Sequence, residues 1–278
     1  MSRSVIVFPH CPKTGGTTLK ERYRNHNDNF SVVDLGDPVT EDTRVVFGHI
    51  AEIGKYESML DKNIIYCTCV RDPIERMMSM YNFYKTQLAY MNPDVNGDID
   101  FYTWFINKDV IRPMAITTQY EYYLYQHVNG LQWFEDGTLK NDKRVNDMYL
   151  NTVLTWDVDA DTSYVDMEKL EKCLAHKQDV QEHNMNVTWD RIVSNFTYVL
   201  FQDTNIVEKF DQLLESHDMN LTPWREMTVT NETKYDLHRH KLQYTKFSDL
   251  DSDLQYLMKL DLKADIDFYN RCKEKWKH

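Results

Sequence analysis

Residues Ser4–Phe8 (SVIVF) form a short apolar run rich in β-branched side chains, and Pro9 closes it. A run of that length and composition predicts a buried strand. It leads directly into His10–Thr17, a loop with paired glycines. A helix start follows from Thr18 to about Arg24, with Leu19 and Tyr23 on one face at i, i+4. Val45–Ile50 and Ile64–Val70 (IIYCTCV) read as two more buried strands, and Thr197–Phe201 as another. Fully apolar strands alternating with helices predict an α/β fold: a single P-loop-like domain, its central parallel sheet flanked by helices. No internal repeat and no Ser/Gly/Pro linker divides the chain, so residues 1–278 are expected to form one domain.

Two helices carry clear local signals. Asp72 is a good N-cap, Pro73 suits the first helical position, and Glu75 follows three residues after the cap, which reads as a capping box. Ile74, Met77, Met78, Tyr81 and Leu88 form the buried stripe of that helix, while Arg76, Ser79 and Phe83 fall on another face. Asn205–Ser216 reads as an amphipathic helix buried through Ile206, Phe210, Leu213 and Leu214. Residues 100–130 are helical and aromatic in pattern, 136–165 are polar and turn-rich, and Met167–Lys177 reads as a helix. Asp249 to about Lys275 is expected as one long closing helix.

Composition removes several function classes. There are 32 Lys+Arg against 44 Asp+Glu, a formal net charge of −12, which argues against bulk nucleic-acid binding. No apolar run approaches the length of a membrane helix. Met1–Phe8 is too short and too soon cut by Pro9 to be a secretory signal core, so a cytoplasmic location is expected. The five cysteines show no regular framework and read as reduced thiols. Cys67 and Cys69 share one face of a strand and read as core, not as metal ligands.

The chemistry concentrates in three places. In the first, His10-Cys11-Pro12-Lys13-Thr14-Gly15-Gly16-Thr17-Thr18, backbone N–H groups of the loop and helix start converge on one spot and favour an anion. Lys13 adds charge, and Thr14, Thr17 and Thr18 add hydroxyls. Lys13 precedes the glycines, so this is not the G-x-x-x-x-G-K-[ST] loop that also holds Mg²⁺, and no metal is expected. The alternative is an ordinary tight turn capped by Thr17. In the second, Val70-Arg71-Asp72-Pro73-Ile74-Glu75-Arg76-Met77-Met78-Ser79, Arg71 stands where a strand meets its helix, at the end of the sheet where α/β folds bind ligands. Arg71 suits an isolated phosphate bidentately, and Ser79 adds a hydroxyl. The alternative pairs Arg71 with a nearby carboxylate and leaves Ser79 to solvent. In the third, His49 ends a strand between the two motifs, aimed at the same crevice. It is the candidate general base near neutral pH. A packed histidine, or His10 or a carboxylate as base, are the alternatives.

The two motifs together resemble those of the sulfotransferases that use 3′-phosphoadenosine 5′-phosphosulfate (PAPS). The first is similar to their 5′-phosphosulfate loop, H-x-P-K-T-G-G-T-[ST] in carbohydrate-acting members, and the second to R-D-P-x-x-R-x-x-S-x-Y. The heparan sulfate 2-O-sulfotransferase branch is the most similar. The match is strong over about 4–24 and 45–85, weaker over Tyr198–Leu214 and Asn231–Tyr269, and absent over about 95–195. The resemblance implies that Lys13 contacts the 5′-phosphate and the bridging oxygen. It implies that Thr14, Gly15, Gly16, Thr17 and Thr18 cradle that phosphate, and that Arg71 and Ser79 hold the 3′-phosphate. Asn231-Glu232-Thr233 with Lys234 matches a late nucleotide-binding segment. His49 matches the second histidine of the branch's H-G-H, its base, with Phe47 in place of the first, which bears on acceptor contacts. The expected function is transfer of a sulfuryl group from PAPS to a carbohydrate hydroxyl. Alternatives are a lipid or small-molecule hydroxyl, a P-loop kinase or hydrolase, or a non-catalytic binding module. The resemblance also implies a Golgi lumen location if the chain is a fragment of an anchored enzyme. Two basic clusters could meet an anionic glycan: Lys234, Arg239, Lys241 and Lys246 with His238 and His240, and Lys140, Lys143 and Arg144.

Overall fold

Alternation of side chains along five short strands builds the sheet. The strands are β1 (Ser4–Pro9), β2 (Phe30–Val32), β3 (Val45–Gly48), β4 (Asn63–Val70) and β5 (Tyr198–Phe201). The computed structural model describes residues 4–49, 51, 53–91, 99–105, 118–125, 181–190, 193–202, 205–223 and 237–276. The sheet order is β2-β3-β1-β4-β5 and every pairing is parallel, with Val7 opposite Val46 on one side and Tyr66 on the other. The expected α/β class therefore holds. β2 was not expected: three residues are too few to show a strand pattern.

Ile6, Phe8, Val45, Phe47, Ile65, Cys67 and Cys69 point to one face, where α1 (Gly16–Tyr23) and α4 (Ile206–Ser216) cover them. Their neighbours Val5, Val7 and Val46 point to the other face, as do Val70, Val199 and Phe201. That period of two, apolar on both faces, is what a doubly covered parallel sheet requires. On the first face Phe210 meets both Phe8 and Tyr23 edge-on, at 5.5 and 5.6 Å between ring centroids. Arg22 and Tyr23 of α1 both bond Asp211 of α4, the arginine at 2.6 Å. The four apolar residues expected to bury α4 are buried. Cys67 and Cys69 are core thiols, and burial pushes Cys69 up to about 12.

α2 (Pro73–Met91) leaves the end of β4, and α3 (Gln119–Tyr125) lies within the aromatic stretch. Asp72 caps α2 by accepting from the N–H groups of Ile74 and Glu75 at 3.0 and 3.1 Å. The reciprocal half of the expected capping box is replaced: the Glu75 carboxylate lies 3.7 Å from Arg71. Met77, Met78 and Tyr81 are buried against Phe101, Trp104 and α5 (Ser252–Asp261), and Ile74 packs at the margin. Leu88 is outside the described side chains.

The closing segment is two helices, not one. α5 is capped by Asp251, and α6 (Lys263–Trp276) begins after Leu262. α5 buries Leu257 and Met258 against α2, whereas α6 buries Phe268, Tyr269 and Cys272 against β5 and α3. Two different surfaces need two axes, and Leu262, itself fully buried, marks the break. A further helix at 181–190 was not expected. The expectations for 136–165 and Met167–Lys177 lie outside the described residues. Among the described residues no helix is long and apolar enough to cross a membrane.

Candidate active site

β1, β3 and β4 are adjacent, so the loops that follow them meet at one end of the sheet. The β1 loop turns sharply. Lys13 adopts φ 67° and Gly15 φ 95°, both left-handed, and Gly15 is the N-cap of α1. The expected helix start at Thr18 moves forward to Gly16. The tight-turn alternative fails in one respect: no side chain caps α1, Thr17 included. Gly16 is buried against His10, and a Cβ there would lie 2.3–2.5 Å from that imidazole. The backbone thus approaches where only glycine fits. Thr14 departs from expectation. It is buried, its hydroxyl donates to Cys11 O at 2.7 Å and its carbonyl accepts from Cys69 Sγ at 2.8 Å, so its side chain serves the loop. Thr17 is exposed and Thr18 half-buried at the start of α1.

Two arginines hold this loop from the second motif. Arg71 Nη1 donates to Lys13 O at 3.3 Å. Arg76, buried to 2 % exposure, donates from Nη1 to Pro12 O at 3.2 Å and approaches Cys11 Sγ at 3.5 Å. The strained turn at Lys13 is therefore pinned at consecutive carbonyls. Lys13 Nζ lies 4.2 Å from the centre of the Phe83 ring. Arg76, Ser79 and Phe83 share one face of α2, as their spacing predicts, and it is the face toward the loop for Arg76 and Phe83. Ser79 is buried, not left to solvent.

Arg71 has the carboxylate neighbour that the alternative reading foresaw, Glu75, but the pair is long at 3.7 Å and Glu75 is exposed. Burial pulls the Arg71 guanidinium below its ordinary pKa, and Glu75 and Tyr244 partly oppose this. Tyr244 is brought there by α2. Asn82 bonds Thr245 O and N at 2.8 and 2.9 Å, and Lys85 donates to Gln243 O at 2.6 Å. Burial raises the Tyr244 hydroxyl, with Arg71 pulling the other way.

His49 follows β3, one residue beyond the strand. Its Nδ1 donates to His10 O at 2.8 Å, since a carbonyl oxygen can only accept. Its N–H donates to Asp34 Oδ2 at 2.7 Å, and its carbonyl accepts from the Tyr122 hydroxyl at 2.7 Å. Gly48 adopts φ 151°, and a Cβ there would meet the Asp34 carboxylate at 2.8 Å. The His10 ring packs at 4.0 Å from that of His49 and 5.1 Å from that of Phe47. His10 is buried, its Nδ1 is 2.9 Å from Cys11 O, and burial followed by His49 holds its pKa well below the usual histidine range. Such a group is poorly placed to take a proton from an acceptor.

Lys13, Arg71 and His49 are thus all joined to one stretch of backbone, residues 10–13. Sequence reasoning missed the residues that join them. Arg76 is visible in the second motif, but nothing local marks its partners Pro12 O and Cys11 Sγ. Gln119, Tyr122 and Asp34 act across 48, 73 and 15 positions, and nothing local marks them. Asn231–Lys234, Lys140, Lys143 and Arg144 lie outside the described residues. Arg239, Lys241 and Lys246 are exposed around the Tyr244 segment. Among the described residues no group of three or more His, Cys, Asp or Glu side chains could hold a metal ion. No family model matches the chain. No curated protein matches it either.

Proposed function

We propose that the protein is a PAPS-dependent O-sulfotransferase acting on a carbohydrate hydroxyl. The observation that carries the reading is the meeting of the β1 loop, Arg71 and His49 on residues 10–13. A cation-bearing loop at an uncapped helix start suits one phosphate, and a separate guanidinium suits a second. The two phosphates of 3′-phosphoadenosine nucleotides need two such sites. With Nδ1 committed to His10 O, Nε2 is the ring nitrogen that His49 has left for an acceptor proton.

In the reaction the acceptor oxygen bonds to sulfur while the bond from sulfur to the bridging phosphate oxygen breaks. That electron pair leaves on 3′-phosphoadenosine 5′-phosphate (PAP), and the acceptor proton passes to His49 Nε2. Lys13 is the group suited to offset charge growing on the leaving phosphate, a task weighted to the transition state. Arg71 and Ser79 hold the 3′-phosphate, and the backbone of Thr14–Thr18 holds the other. The exposed cations Arg239, Lys241 and Lys246, beside the Tyr244 segment, favour an anionic glycan over a neutral acceptor. They offer local attraction that the net charge of −12 does not.

Calorimetry with two nucleotides tests the reading. PAP should bind about 10- to 150-fold more tightly than AMP, the worth of a charge-assisted contact to a phosphate. Equal affinities would defeat the assignment of the second motif. Transfer from labelled PAPS to glycans should persist in EDTA, because Lys13 takes the charge-offsetting role. Rescue by Mg²⁺ after complete loss would favour phosphoryl transfer instead.

A further inference from the structure

The candidate base and the candidate phosphate-binding arginine have their backbones gripped by the same helix. Gln119 and Tyr122 lie three residues apart on α3, hence on one face. The Gln119 amide makes a two-way clasp with Arg71: Oε1 accepts from its N–H at 2.8 Å and Nε2 donates to its carbonyl at 2.9 Å. Gln119 is fully buried and is itself oriented by Asp265 of α6. That carboxylate accepts from Gln119 N at 2.8 Å and from Nε2 at 3.3 Å. Tyr122 donates to the His49 carbonyl at 2.7 Å, and Asp34 takes the His49 N–H from the opposite side. With both backbone groups fixed, the imidazole is left with His10 O as partner for Nδ1. Tyr123, on the adjoining face, bonds Thr68 Oγ1 at 2.9 Å and anchors α3 to β4.

We propose that α3 is a bracket that sets the distance between the two ends of the transfer, with Gln119 the positioning residue for Arg71 and Tyr122 the positioning residue for His49. The proposal rests on the sulfotransferase reading for its purpose, though not for its geometry. A bond to a backbone carbonyl is a good device here. It fixes where the side chain starts without adding a charge that would perturb it. The Tyr122 bond also selects a tautomer indirectly, since His49 reaches His10 O only if its backbone stays in place. A base whose Nδ1 carries the proton is one whose Nε2 is free to receive another.

Two variants separate the two arms. Tyr122→Phe keeps the ring and removes one donor. Ring ¹⁵N spectra of the full-length protein, assigned by loss of the signal in His49→Gln, should show Nδ1–H in the wild type. In Tyr122→Phe they should show a mixture of tautomers. The kcat should fall roughly 3- to 10-fold, the worth of one neutral hydrogen bond, with PAP affinity unchanged. Gln119→Ala should speed hydrogen exchange of the Arg71 amide and narrow the PAP preference over AMP, leaving the His49 tautomer as it was. An Nε2–H tautomer in the wild type would overturn the proposal. So would variants that each disturb both arms equally, since that is general loosening of the helix. If the tautomer and amide results come out as expected but PAP and AMP bind alike, the bracket stands and the sulfotransferase reading falls.

Discussion

The two halves of the candidate site are built on opposite electrostatic principles. The half around Lys13, Arg71 and Arg76 gathers three cations, and two of them bond the loop's own carbonyls. The half around His49 gathers two imidazoles in ring contact, a carboxylate and a tyrosine hydroxyl, with His10 held neutral by burial. Cations pinned to carbonyls make a place where negative charge is welcome before any ligand arrives. A neutral imidazole at His10 leaves no positive charge on that ring to oppose a proton arriving at His49. On the proposed reading, one end of this sheet serves two ligands of different character because the side chains behind each loop differ.

Removing one half at a time separates the two most clearly. His49→Ala should lower kcat by about 10²–10⁴, the usual worth of a general base, while PAP affinity stays near wild type. Turnover above about a tenth of wild type would reject His49 as base. Arg71→Ala should do the reverse to the nucleotide. The preference for PAP over AMP, roughly 10- to 150-fold on this reading, should collapse toward unity. Because Arg71 also bonds Lys13 O, some loss of rate is expected with it. Ser79→Ala probes the same phosphate without touching the loop and should show a smaller loss of preference.

The same contrast explains what could be read from sequence. The half proposed to bind phosphate is written in two contiguous stretches, 10–18 and 70–79, because successive backbone groups and a helix start are what would cradle a phosphate. Local physics of that kind leaves a local pattern. Strands of β-branched residues and the Asp72-Pro73 helix start were legible for the same reason. The His49 half is assembled from four separated segments, and its grip is on backbone groups, which carry no residue identity. Tyr122 reads as one aromatic among many between 101 and 125. Asp34 reads as one acid among 44. The break at Leu262 was hidden similarly, since α5 and α6 are both good helices by pattern and only their different partners force a turn between them. The inward turn of the Thr14 hydroxyl to Cys11 O is not legible in the sequence, because a hydroxyl in a loop can face either way.

Gly16 lies where the halves touch, and substituting it tests how tightly they are joined. Gly16→Ala places a methyl where the His10 ring now is, with contacts of 2.3–2.5 Å. Overpacking of this kind costs about 1–3 kcal/mol. Gly16 is the first residue of α1, so the helix-interior advantage of alanine does not offset this, and the expected net loss in urea unfolding is about 1–3 kcal/mol. A neutral or stabilising result would mean that the His10 ring swings aside easily, and the contact between the halves would then be loose.

The smallest expected effect is the most specific to the His49 half. His10 is neutral in the folded protein because burial, and then the proximity of His49, hold its pKa well below the 6.5 of an ordinary histidine. Unfolding releases it to that ordinary value. Between the folded pKa and 6.5 the unfolded state therefore binds more protons, so stability increases with pH over that interval. The contribution is fully present above 6.5 and is lost progressively as the pH falls below it, until the folded pKa is reached. The loss is at most about 1.4 kcal/mol across one pH unit. The chain holds nine other histidines and 44 Asp and Glu residues, so the test is a difference. His10→Asn keeps an N–H for Cys11 O but has no proton to gain. Urea midpoints of the two proteins should differ by a constant amount above pH 7. Below 6.5 the difference should shift in favour of the variant. Parallel profiles down to pH 5 would mean that His10 accepts its proton inside the fold, 4.0 Å from the ring of His49, and that half of the site would have to tolerate a charge.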